Sequence, residues 1–162
     1  MIREIEAFHG YALARLVRSF PGSVEIGRYP AAGGSAYAIN NQVGLLVKYS
    51  SKRLPPWIFT FTPDHLKDLA VLDAAMKQVV IALVCHKDGI VGLSLDEVTF
   101  LIGSEVERQV AISTKRRRRE LYRVWGPMSE MDKKISDRDF VRRVSGYLGL
   151  AQLVEEPEGN NA

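Results

Sequence analysis

The sequence predicts an α+β (mixed α/β) domain with one central mixed sheet flanked by helices. Three observations carry this. Apolar residues recur at helical spacing early in the chain, at Ile5, Phe8, Ala12, Leu16 and Phe20. Several short segments then show the two-residue alternation of strands. Further on, the continuous apolar run VVIALVC has the length and character of a strand buried on both faces. Helices with one apolar stripe and a sheet with two apolar faces combine as helices packed on a sheet.

The first helix is expected over about residues 3–19 and ends at Pro21-Gly22. SVEIGRY alternates like a short strand, and PAAGGS is a turn. AYAINN and VGLLVKYS are the next two strands, joined by a tight turn at Asn40-Asn41. WIFTFT is a fourth strand, with Trp57, Phe59 and Phe61 on one face. Thr62-Pro63-Asp64 starts a second helix, with Thr as N-cap and Pro in its first position. After the buried strand, HKDG turns into the short strand IVGL. Ser94 and Glu97 have capping-box spacing for a helix at about 95–102. RQVAISTK and ELYRVW form two more strands joined at an arginine run. Ser136 is the expected cap of a final helix at about 137–145.

The 162 residues suit one domain over 1–154, followed by an acidic tail at 155–162 with the composition of a disordered segment. The chain is 46% hydrophobic and 25% charged, as in an ordinary soluble globule. One cysteine, Cys85, excludes a disulfide framework and a cysteine-based zinc site. The first ten residues contain Glu4 and Glu6 and no apolar signal segment, and no apolar run reaches membrane-spanning length. A cytoplasmic protein with no membrane contact is expected. The net charge is +3, and setting aside the three tail acids, Glu155, Glu156 and Glu158, raises it to +6 for the rest. GxxxxGK[ST], GxGxxG, HExxH and GxSxG are all absent, so these signatures suggest no cofactor. CHKDG reads as a turn, and His9 as a packed residue beside the first helix's stripe.

The order helix, three strands, helix, strand, with Lys48 ending the third strand VGLLVKY, resembles the restriction-endonuclease-like PD-(D/E)xK nuclease superfamily. KYSSKRLPPW, LVCHKDGIVGL and ELYRV also resemble segments of small uncharacterised bacterial proteins. The first resemblance implies a site where carboxylates hold Mg²⁺ beside a lysine that polarises water or phosphate. Lys48 stands where that lysine would be. Leu46 occupies the position of the acid two residues before it, and Asn40 is a neutral amide where an acid is wanted. Glu25 is the nearest upstream acid, so a divergent Mg²⁺-dependent nuclease would rest on Lys48 and Glu25.

Lys115, Arg116, Arg117, Arg118 and Arg119 form an unbroken basic run. Such a run is a solvated hairpin tip, a phosphate-binding patch, or a dock for an acidic protein surface. Lys48, Lys52 and Arg53 form a second cluster, with Trp57 nearby. Cations for phosphates with an aromatic for stacking is the mixture used to bind nucleic acid strands. The leading expectation is a non-catalytic nucleic-acid-associated domain that contacts the phosphates of DNA or RNA through a basic hairpin. Lys115 to Arg119 are the main contacts, Lys48, Lys52 and Arg53 the secondary ones, and Trp57 or Tyr122 the stacking partners. The alternatives are the divergent nuclease and a protein-interaction module of a larger bacterial complex.

Overall fold

Two strands of unbroken aliphatic character, VGLLVKYS and QVVIALVC, lie side by side and parallel at the centre of the molecule. The computed structural model describes residues 1–30, 32–150 and 153–154. Its elements are α1 (Glu4–Ser19), β1 (Ile26–Tyr29), a 3₁₀ turn (Ala32–Gly34), β2 (Ala36–Ile39), β3 (Val43–Ser50), β4 (Trp57–Phe61) and α2 (Pro63–Ala75). Then come β5 (Gln78–Cys85), β6 (Gly89–Ser94), α3 (Leu95–Ile102), β7 (Val110–Lys115), β8 (Arg123–Trp125) and α4 (Asp139–Leu148). The α+β class is therefore as the sequence indicates. The acidic segment 155–162 lies outside the described residues. Among the described residues no helix is long and apolar enough to cross a membrane.

The main sheet has the order β1-β2-β3-β5-β6, with only the β3–β5 pair parallel. Alternation along β3 divides the core. Val43, Leu45 and Val47 join Phe8, Ala12 and Leu16 of α1 and Phe140, Val141 and Val144 of α4 on one face. Leu46 and the opposite face of β5, Ile81 and Leu83, pack under Leu69 and Leu72 of α2 and the aromatic side of β4.

The expectation of a single central sheet needs correction. β4 leaves the main sheet and forms a second, three-stranded antiparallel sheet in the order β4-β7-β8. Trp57, Phe59 and Phe61 are each at most 1% exposed and face the core, while Ile58 faces out. A strand this apolar on one side needs a partner layer, and the main sheet supplies it.

Local signals behave as their chemistry dictates. Asn40 and Asn41 have φ of 50° and 52°, the left-handed conformation that a tight turn demands and asparagine tolerates. Ser94 and Glu97 cap α3 reciprocally, at 3.1 and 2.8 Å. Thr62 caps α2, and His65 closes that box by accepting the Thr62 amide proton on Nδ1 at 3.1 Å. The last helix starts later than expected. Arg138 is its N-cap residue, and the Ser136 hydroxyl accepts from the Arg138 amide in the preceding turn.

Gly92 lets β6 and α4 touch. A Cβ there would sit 2.7 Å from the Phe140 Cα, and backbone cannot swing aside. Gly92→Ala should therefore push α4 from the sheet and cost about 1–3 kcal/mol. A fall in the urea midpoint at unchanged m-value would show it.

Candidate functional site

Strand register brings separated basic segments to one rim. Trp57 of β4 pairs with Thr114 of β7, so the residues before Trp57 and after Thr114 leave the second sheet at the same end. Ser50 of β3 pairs with Cys85 of β5, so the 51–56 loop starts beside the 86–88 turn. Three contacts tie these pieces together. The Trp57 indole donates to the Lys52 carbonyl at 2.8 Å. Cys85 Sγ lies 3.3 Å from Thr114 Oγ1. Arg116 Nε donates to Asp88 Oδ2 at 2.6 Å, and its Nη2 to the Asp88 carbonyl at 2.8 Å.

Seven cations are exposed on these segments: Lys52, Arg53, Lys87, Lys115, Arg117, Arg118 and Arg119. In the sequence Lys87 is only part of a turn; the β3–β5 register places it here. The acids nearby are few. Asp88 is occupied by Arg116 and by the Tyr122 hydroxyl, which donates to it. Glu120 is exposed and closes the turn through its amide, which donates to the Arg117 carbonyl at 3.0 Å. Arg119 sits in that turn at a φ of 68°, a conformation rare outside Gly, Asn and Asp.

Three expected contact residues offer little exposed surface. The Arg116 side chain is only 11% exposed and bound to Asp88, with its guanidinium 4.2 Å above the Tyr122 ring. Strand alternation continues past Thr114 and turns Arg116 inward, between the outward Lys115 and Arg117. Burial alone would lower the Arg116 pKa, but Tyr122 and Asp88 raise it further, so it stays charged. Trp57 and Tyr122 are 1% and 0% exposed and pack edge to face, with ring centres 6.2 Å apart. Their rings stabilise the second sheet and have no face free for a base.

Lys48 is half-buried on β3, two residues before Ser50, and is not one of the exposed rim cations. It projects from β3 into a cleft of 340 Å³ whose walls include His9, Ser35, Leu46, Ile58, Thr60 and His65. Its ammonium is 3.3 Å from His65 Nδ1 and 4.9 Å above the Phe61 ring. Burial lowers its pKa from 10.5 to about 8. Burial, and then the Lys48 charge, lower the His65 pKa. His9 is buried and its Nδ1 is 2.8 Å from the Tyr37 hydroxyl.

The pairing of Lys48 with Glu25 fails on geometry. Glu25 is at the Asn40-Asn41 end of the sheet: its amide donates to Asn40 Oδ1 at 2.8 Å, and its carbonyl accepts from the Asn40 amide. Val43 begins β3 at that end, and Lys48 is five residues further along, about 16 Å at strand rise. Among the described residues no group of three or more His, Cys, Asp or Glu is placed to hold a metal ion.

A depressed lysine pKa fixes a pH dependence. Below pH 8 the folded state holds a charge that the unfolded chain solvates better, and the penalty fades as pH rises from 8 towards 10.5. Lys48→Met should therefore stabilise the fold by about 1–2 kcal/mol at pH 7. That gain should shrink at pH 10, as read by denaturant unfolding at both pH values.

Fold and site together define an α+β protein with a basic rim along one end of its second sheet. Compared with known proteins, the chain matches no family model, no curated protein and no solved structure.

Proposed function

We propose that this protein binds the phosphate backbone of DNA or RNA through the basic rim, without acting on it chemically. One observation carries the reading: register brings seven exposed cations from three segments to one end of the molecule, where the principal acid is already paired. Like charges crowded in this way repel one another unless a polyanion answers them. Cations gathered on one rim release counterions from a phosphate backbone, which drives binding at low salt. With Trp57 and Tyr122 buried, recognition rests on phosphates and not on base stacking.

The test is fluorescence anisotropy with labelled single- and double-stranded DNA and RNA at about 50 and 200 mM salt, where phosphate-driven binding falls steeply. Affinity that collapses with salt and is indifferent to base sequence supports the proposal. No binding at the lower salt overturns it. A second reading has its own observation: Leu54 and Leu121, exposed by 71% and 48%, lie in the same segments as the cations. Such a mixture suits an acidic, amphipathic protein surface, and a salt-sensitive complex with such a partner would replace nucleic acid.

A further inference from the structure

The cleft at Lys48 holds a half-buried amine without a carboxylate among the residues that line it. The amine rests above the Phe61 ring, and Leu46, Ile58 and Phe59 give the cleft apolar walls. Ser35 and Thr60 add hydroxyls. The volume, 340 Å³, is within the range of small-molecule sites, roughly 300–1,000 Å³. The hydrogen bond to His65 has a defined direction. His65 Nδ1 already accepts the Thr62 amide proton, so it carries no proton of its own, and Lys48 is the donor. With an N–H turned to His65, the lone pair of the neutral amine is left for another partner.

We propose that this cleft binds a small aldehyde or ketone with an apolar body and that the Lys48 amine condenses with it to an imine. The Nζ lone pair forms the N–C bond, and the carbonyl electron pair moves to oxygen, which takes a proton from water. The nitrogen sheds a proton to solvent, and the hydroxyl takes one from solvent and leaves as water while the N=C bond forms. The last N–H proton of the iminium passes to solvent. Amine plus carbonyl gives imine plus one water, with no change of oxidation state. Burial favours the step because it keeps a larger fraction of the amine neutral near pH 7. The proposal does not rest on nucleic-acid binding at the rim.

The test uses the whole chain with butanal and cyanoborohydride at pH 7, stopped at low conversion, with the eight lysines mapped by peptide mass spectrometry. Lys48 should be alkylated at least about tenfold faster than Lys52 and Lys87, although both are more exposed. A lysine of pKa about 8 has roughly three hundred times the neutral fraction of an ordinary one at pH 7, and the cleft's restricted access offsets part of that. Equal or slower labelling of Lys48 overturns the proposal. His65→Gln keeps a side chain able to close the α2 capping box and removes the ring nitrogen that orients the Lys48 amine. It should slow labelling at Lys48 at least threefold and leave Lys52 and Lys87 unchanged. An unchanged Lys48 rate would overturn the orienting role of His65.

Discussion

Changing Lys115, Arg117, Arg118 and Arg119 together to serine should abolish most nucleic-acid affinity at 0.1 M salt, by about three orders of magnitude, and flatten its salt dependence. Each phosphate contact contributes about 0.9 to the slope of log K against log salt on duplex DNA. If all seven rim cations reach phosphates, the slope is about −6, and affinity falls roughly 6,000-fold between 50 and 200 mM. With three cations left it falls only about 40-fold. The four side chains are exposed, so the melting temperature should stay within a few degrees. Arg116 is left in place because its loss would confuse folding with binding. Anisotropy titrations over that salt range give the slope directly. A slope equal to the wild type would mean that phosphates dock elsewhere.

What the sequence discloses is what short-range chemistry decides. Asn40-Asn41, Thr62-Pro63 and Ser94 with Glu97 each bond within a few residues of themselves, so their roles are legible along the chain. The aromatic face of WIFTF is legible because alternation is local. The sheet that this strand joins is not, because its partner β7 comes after α2, β5, β6 and α3. The same limit governs the candidate site. Five consecutive basic residues look equivalent, and only the register of β7 and the presence of Asp88 under the turn single out Arg116 as an internal ion-pair partner. Tyr122 looks available for stacking for the same reason, since its burial depends on Trp57 and Asp88, both remote in sequence. Lys48 and Glu25 are close in the chain, and two antiparallel connections set them apart in space.

Asp88→Ala should be the most damaging single change near the rim, costing about 3 kcal/mol and about 6–12 °C in melting temperature. The Arg116 side chain, 11% exposed, would be deprived of the carboxylate that offsets its burial, and the Tyr122 hydroxyl of its acceptor. A buried charge left alone costs more than the intact pair contributes. Space is also tight. A Cβ on Gly89 would stand 2.6 Å from the Tyr122 hydroxyl and 3.0 Å from Arg116 Nη2. Asp137 borders the same point, holding the Ile90 amide at 2.7 Å and Arg15 of α1 at 3.1 Å, so α1, β6 and the hairpin meet there. The double variant Arg116→Met with Asp88→Asn leaves no isolated charge and keeps an acceptor for Tyr122. Thermal unfolding should show it recovering most of the stability that Asp88→Ala removes, which separates the cost of an unpaired charge from the value of the ion pair itself. Its nucleic-acid affinity should stay within a few-fold of wild type, because the exposed cations are long, flexible and untouched. A large drop in binding in this restabilised background would mean that Arg116 holds the hairpin at the angle phosphates require.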